Sequence, residues 1–302
     1  MLPLADYRDV IELDEPFPVP KDDPRTNYHL LMTALSGLRN KHYTGTSSVA
    51  HLSTDEGLLR WLEAELSVRE PGPIDPITSR AINTLLYRHV GKHGRVEAMN
   101  LRRVSEMIPN CDYGPALETV LYTGDMRQLV VDAVVNTATP GLDGCPIPLH
   151  DCLDSVLHQQ AGPWMRNDTN TIREIAKKDA LSPGDVVMTR GYRLPAKYVI
   201  HTTGPVVKNG RVTDKNRREL FSCYWNALDL AHEKGDIKSI AFPAISTGIN
   251  GFPMEEANDI ALRAVEKWMY RHDQYLDLVV FSVRTETDAD CFMEALETWV
   301  EE

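Results

Sequence analysis

The sequence predicts an α/β protein whose sheet is covered by helices on both faces, preceded by a mainly helical N-terminal region. Two observations carry this expectation. Beyond residue 115, short apolar runs alternate with stretches of helical periodicity, the pattern of a sheet covered on both sides. Between about residues 28 and 107 the apolar spacing is helical throughout. The composition supports a core, since 42% of the 302 residues are hydrophobic and 25% are charged, and this mixture excludes a globally disordered chain. The length fits one large domain or two smaller ones, and the change of pattern divides the chain into residues 1–114 and 115–302.

Residues 1–25 are rich in Pro and Asp and read as an irregular arm wrapping the surface. The string NYHLLMTALSGLRN then places Leu30, Leu31, Ala34, Leu35 and Leu38 on one helical face. Thr54 or Asp55 can cap a helix that carries Leu58, Leu59, Leu62 and Leu66, with Glu56 and Arg60 on its wetter side. Further helices are expected over 79–89 and 95–107, and the set can pack as a small bundle or, the preferred expectation, against the larger domain. Candidate strands follow at 120–122, 133–136, 186–189, 198–201, 240–242 and 278–281. Helices are expected between and after them at 154–161, 171–180, 215–233, 254–272 and 288–299. The helix after Pro253 has Ile260, Ala264, Val265 and Trp268 on one face, and Glu255, Glu256 and Asp259 suit the positive end of its dipole. Folds of this kind bind ligands in the loops at the carboxyl ends of the strands.

Charge and cysteine content narrow the function classes. Thirty-two Lys and Arg against 44 Asp and Glu leave a net charge of −12. Such a surface repels polyphosphates, so a nucleic-acid scaffold is not expected. A small phosphate ligand held by backbone N–H groups is compatible with it. No window approaches 18 consecutive apolar residues, and no membrane partner is expected. The opening string MLPLADYRDVIELDEPFPVP has no basic region followed by an apolar stretch, so a secretory leader is not expected either. Five cysteines, an odd count, do not read as a disulfide framework. They fit a reducing compartment, cytoplasmic first and nuclear second, in which thiolates can bind metal.

The string GCPIPLHDC brings Cys145, His150 and Cys152 within eight residues. Two thiolates and an imidazole suit Zn²⁺, and the two intervening prolines restrict the loop that must converge them. Three ligands leave a fourth position for water or substrate. The same string also fits two buried free cysteines beside a surface histidine. Cys111, Cys223 and Cys291 lack such spacing and read as small core hydrophobes. Asp151, between two of the candidate ligands, could bind a basic group or simply lie solvated in the turn.

A second constellation is FPAISTGINGFP, residues 242–253. Here an apolar strand runs into Ser246, Thr247 and Gly248, and a helix begins near Pro253. Successive N–H groups of such a loop can cradle anionic oxygens without a basic side chain, although an ordinary glycine turn has the same composition. Neither a P-loop nor a Gly-x-Gly-x-x-Gly string is present. A third is HDCLDSVLHQQAG, in which Asp154 opens a helix and His158 follows four residues later on the same face. Near a metal and a phosphate site, Asp154 could position water or hold a ribose hydroxyl; by itself it reads as an N-cap. Asn136, at a strand end, could hydrogen-bond a ribose or form a turn.

Taken in order, these residues resemble the macrodomain family, and more narrowly its zinc-dependent ADP-ribosyl hydrolase branch. The resemblance covers roughly residues 115–302. It rests on GDM at 124–126, VDAVVN at 131–136, GYRLPAKYVIHTTGP at 191–205 and STGINGFP at 246–253. It implies a three-layer α/β/α fold with a central mixed sheet. It also implies that Asp125 hydrogen-bonds the adenine amino group while Met126 lines its pocket, and that Asn136 meets the distal ribose. Ser246, Thr247, Gly248, Ile249 and Asn250 would wrap the diphosphate, and Cys145, His150 and Cys152 would hold zinc beside the distal ribose. The implied activity is hydrolysis of the bond between ADP-ribose and a modified protein side chain, Asp and Glu esters first, with Asp154 and Asn136 as catalytic residues. A non-catalytic reader of ADP-ribose is the alternative. The implied partners are mono-ADP-ribosylated proteins and an ADP-ribosyltransferase or sirtuin-type enzyme. The chain departs from the family pattern at Thr139, where a second asparagine is common, and at Asn250, where an aromatic residue is frequent. The proposed metal loop replaces the family's glycine run, and the N-terminal extension is longer than that branch's own.

Overall fold

The computed structural model describes residues 2–38 and 54–300. Three helices open the chain: α1 (Asn27–Leu38), α2 (Asp55–Val68) and α3 (Pro76–His93). Strand β1 (Val96–Glu97) and the short helix α4 (Val104–Met107) follow, then β2 (Thr119–Thr123), β3 (Leu129–Val130) and β4 (Ala133–Thr137). Helices α5 (Leu153–Ala161) and α6 (Pro163–Ala176) lead to β5 (Val186–Arg190) and β6 (Tyr198–Thr202). The remainder is α7 (Asp214–Lys234), β7 (Ser239–Pro243), α8 (Met254–Arg271), β8 (Leu278–Val283) and α9 (Glu286–Glu297).

The main sheet has six strands in the order β2-β8-β7-β4-β6-β5. Its pairs are parallel except β5 with β6, so the sheet is mixed, as expected. Strand alternation sorts side chains onto two faces. Val135, Ile240, Phe242, Val279 and Phe281 join Leu228, Val265 and Trp268 of α7 and α8 in one core. Val134, Val199, Ala241 and Val280 join Leu157 and Ala161 of α5 and Met165 of α6 in the other. Because five adjacent strands run the same way, their carboxyl ends lie along one edge, and the loops leaving them share it.

Local chemistry sets the helix ends. Thr54 caps α2 by accepting the Gly57 N–H, and Asp75 caps α3 by accepting those of Ile77 and Thr78, with Pro76 at the first position. Reciprocal capping boxes start α7 (Thr213 with Asn216) and α9 (Thr285 with Asp288).

The N-terminal helices differ in part from expectation. Leu30, Leu31, Leu35, Leu58, Leu62, Ile82 and Leu85 form a separate small core, so α1, α2 and α3 make a bundle of their own that docks on the larger body mainly where α2 meets α5. The described part of the string NYHLLMTALSGLRN is helical to Leu38; its last two residues lie outside the described residues. No helix spans 95–107. Val96 and Glu97 pair in parallel with Leu129 and Val130, a 3-10 turn covers Ala98–Asn100, and helix returns only over Val104–Met107. The long-range pairing with β3 overrides the local periodicity.

The first 25 residues are also more than a surface arm. Leu4, Tyr7, Ile11 and Leu13 are buried in the main core. The Tyr7 hydroxyl accepts the Met188 N–H of edge strand β5 at 2.9 Å. Helix α6 starts at Pro163, eight residues ahead of the expected 171, because Gly162 at φ 89° ends α5 and the following proline suits a first helical turn.

Candidate active site

Four segments converge on the carboxyl edge of the sheet: residues 138–152 after β4, 203–207 after β6, 244–252 after β7, and Arg284 after β8. Hydrogen bonds stitch them together. The Ala138 N–H donates to the Thr202 carbonyl at 2.8 Å, and the Val207 N–H to the Asn250 carbonyl at 2.8 Å. Arg284 donates to the Asp151 carboxylate at 2.6 Å and to its carbonyl at 2.9 Å. Asp151 thus takes the basic partner that its position allowed.

Cys145, His150 and Cys152 come together as the sequence predicts: one ligand atom from each lies within 4.8 Å of the others. Cys145 Sγ and His150 Nδ1 are 3.4 Å apart. Cys145 is buried, while His150 and Cys152 are partly exposed. Burial first, and the neighbouring Cys145 after it, push the Cys152 thiol up to about 11. Two sulfurs and one imidazole nitrogen at this spacing are a donor set that fits Zn²⁺, which would draw the thiols into the thiolate form. The loop is held from behind by the N-terminal bundle. Leu149, beside His150, sits in the left-handed region at φ 54°, and its N–H donates to Ser67 Oγ at the end of α2. From α6, Arg166 donates to the Ser67 and Arg69 carbonyls at 2.8 and 2.9 Å.

Asp154 opens α5 two residues after Cys152 and is 4% exposed. Its Oδ1 accepts from Asn136 Nδ2 at 2.8 Å, and its Oδ2 from the Thr139 N–H at 3.3 Å. Burial raises its pKa above the usual carboxylate range, and the Asn136 hydrogen bond opposes the rise. His158 Nε2 lies 3.5 Å from the same Oδ1. Burial, reinforced by the charge of Arg166, keeps that imidazole neutral, well below the ordinary histidine range. Asn136 is fully buried at the end of β4 and contacts His201 Nδ1 at 3.2 Å. Asn136 Oδ1, Thr139 Oγ1 and Ser246 Oγ are buried without a protein partner, and each such atom costs about 1–3 kcal/mol unless a ligand or water satisfies it.

The loop after β7 has the form expected of an amide cradle. Ser246 takes a left-handed conformation at φ 66°, and the Phe252 N–H closes the loop on the Ser246 carbonyl at 2.9 Å. The Thr247 hydroxyl donates to the Ala244 carbonyl, and Asn250 Nδ2 to the Gly204 carbonyl at 3.3 Å. Gly204 is required at its position, since a Cβ there would come within 2.1 Å of Ser246 Oγ. A Cβ at Gly248 would meet nothing within 4 Å. Ile249 is 98% exposed, so its side chain packs on nothing and its backbone is what the loop contributes.

Asp125 follows β2 on the same side of the sheet. Its carboxylate holds Arg127 in a two-point pair, the nearer at 2.7 Å, and caps the turn Met126–Gln128. Met126 is buried in the core beneath it. His201, Arg284 and Ser67 escaped sequence reasoning. His201 lies inside the apolar run YVIHT, and its only hint is a strand position that β4–β6 pairing sets beside Asn136.

The macro domain profile matches residues 135–261. Over 177 residues, 58% of this chain, the sequence is 39% identical to the protein-ADP-ribose hydrolase of Staphylococcus aureus and covers 65% of it. Over 176 residues it is 38% identical to the ADP-ribose glycohydrolase MACROD1 of Mus musculus and covers 50% of that protein. The chain therefore spans less than two thirds of these relatives' length. A solved macrodomain of Oceanobacillus iheyensis with ADP superposes with a TM-score of 0.53 at 31% identity, over 59% of this chain and 90% of that one. Strand order, the loops at the carboxyl edge and these likenesses agree, and the chain belongs to the macrodomain family.

Proposed function

We propose that this chain hydrolyses the bond between ADP-ribose and a modified protein side chain, with zinc held by Cys145, His150 and Cys152. The observation that carries the reading is Asp154. It is a buried carboxylate bound to Asn136, two residues past the metal-type cluster, on the sheet edge that also carries the amide loop after β7. The relatives named protein-ADP-ribose hydrolase and ADP-ribose glycohydrolase support the same class of reaction.

In this reading the backbone of residues 246–250 binds the diphosphate, which reconciles an anionic ligand with a protein of net charge −12. Asp125 and Met126 meet the adenine, and Asn136 Oδ1 accepts a hydroxyl of the distal ribose. Asp154, desolvated and more basic than a free carboxylate, orients that ribose or accepts a proton from the water that attacks its C1. Zinc would supply a Lewis acid at the sugar end of the cleft. The bond from C1 to the side-chain oxygen breaks and the side chain leaves. A carboxylate is a far better leaving group than an alkoxide, so Asp and Glu esters are the favoured substrates and serine ethers the poorer ones. Thr139, standing where the family often has a second asparagine, favours a second reading, a module that binds ADP-ribose without turning it over.

An ADP-ribose release assay on proteins modified separately at acidic residues and at serine decides between them. Release from the acidic-residue substrate, faster than from the serine one, is the expected result. Tight ADP-ribose binding with no release from either substrate would establish the reader.

A further inference from the structure

Behind Asn136 lies a chain of hydrogen bonds that runs through His201 to Thr189. Thr189 on β5, His201 on β6 and Asn136 on β4 are all fully buried, and Asn136 and His201 are register partners. The Thr189 hydroxyl has one proton and donates it to the Arg190 carbonyl at 3.0 Å. With that proton so placed it accepts from His201 Nε2, 2.9 Å away, and the other end of the chain demands the same tautomer: Asn136 Nδ2, which donates to Asp154, needs an acceptor at His201 Nδ1, so the imidazole proton sits on Nε2. Burial pushes the His201 pKa down to about 3, so the ring is neutral and its Nδ1 is a bare acceptor.

That acceptor takes one hydrogen of Asn136 Nδ2 at 3.2 Å, and Asp154 Oδ1 takes the other at 2.8 Å. Both amide hydrogens are consumed, and Asn136 Oδ1 is the atom left buried and without a partner. A flipped amide would set its oxygen against two acceptors, Nδ1 and the carboxylate, so the neighbours permit one orientation.

We propose that His201, held in its Nε2–H tautomer by Thr189, is a positioning residue that turns the Asn136 oxygen toward the ligand, so that the site selects a hydrogen-bond donor, a ribose hydroxyl, at this point. The inference rests on the reading of the cleft as an ADP-ribose site and adds the group that sets its polarity. Thr189 and His201 touch no ligand themselves; they act through Asn136.

The test compares wild type, Thr189→Val, Thr189→Ser and His201→Phe. Long-range ¹H–¹⁵N spectra report the His201 tautomer, and calorimetry reports affinity for ADP-ribose and for ADP, which lacks the distal ribose. Wild type and Thr189→Ser are expected to show the Nε2–H form. Thr189→Val frees the ring to exchange tautomers and is expected to weaken ADP-ribose about tenfold, the worth of one buried hydrogen bond, with ADP affinity unchanged. His201→Phe is expected to do the same or more, and Thr189→Ser to restore binding. An Nδ1–H form in wild type overturns the proposal. So does Thr189→Val with an unaltered ratio of ADP-ribose to ADP affinity, or an equal loss of both ligands, which would mark a merely structural role. If wild type binds ADP-ribose no better than ADP, the ligand reading itself fails and the proposal with it, whatever the tautomer.

Discussion

In the proposed reaction the chemistry turns on Asp154, the buried carboxylate that Asn136 and the Thr139 N–H hold. Asp154→Asn keeps the size and one acceptor but removes the charge, and buried general bases of this kind are worth about 10²–10⁴ in rate. We expect turnover to fall by at least about a hundredfold, ADP-ribose affinity to change far less, and the circular dichroism to stay as in wild type. Wild-type rates would remove Asp154 from the mechanism. At this scale the sequence was legible wherever partners are local. Cys145, His150 and Cys152 share one loop, and their spacing foretold that the three would come together. His201 meets Asn136 across 65 residues of chain and Thr189 across 12. A histidine in an apolar run carries no mark of such partners until strand register is known.

Two elements carry the cleft, and each allows a prediction. The loop after β7 was readable because Gly248 and Gly251 fall between an apolar strand and a helix. A Cβ at Gly248 meets no protein atom within 4 Å, so the fold should tolerate Gly248→Val while the branched side chain crowds the diphosphate. Calorimetry should show ADP-ribose affinity reduced at least about tenfold, the worth of one or two lost backbone hydrogen bonds; unchanged affinity would take the loop out of the site. The loop that carries Cys145 and His150 leans on α2, where Ser67→Ala would leave the strained Leu149 N–H without its acceptor. We expect that variant to hold zinc about tenfold less tightly against a chromophoric chelator, in line with the loss of a supporting contact behind a ligand; equal affinity would show that the bundle does not support this loop.

Other elements misled the reading for identifiable reasons. Helix α6 begins before its expected start, since the charged Arg166 sits on its buried face and breaks the apolar period that would have marked the true one. The helix expected over 95–107 is absent because strand pairing with residues 129 and 130 claims its start. The expected preference for packing against the large body holds for α2 on α5, yet the bundle also has its own core.

At the scale of the whole molecule, the alternation of strands and helices made the covered sheet legible, since five parallel strands need helical crossovers. The N-terminal arm was not legible, because prolines and aspartates surround the few side chains that matter. Tyr7 shows what was hidden: its hydroxyl satisfies an N–H on edge strand β5 that would otherwise be buried and unpaired. Tyr7→Phe should lower stability by about 1–3 kcal/mol, read as a drop of several degrees in thermal midpoint. An unchanged midpoint would mean that the arm does not seal the sheet edge.

Whether a metal at Cys145, His150 and Cys152 belongs to the hydrolytic site is decided by release of ADP-ribose from a substrate modified on acidic residues, followed before and after zinc is stripped and returned. The active protein is expected to hold one zinc per chain, to lose release on stripping with the fold intact and to recover it on adding zinc, with neither zinc nor recovery when Cys145, His150 and Cys152 are each changed to Ala. Full release by a metal-free protein would contradict a catalytic role for the metal.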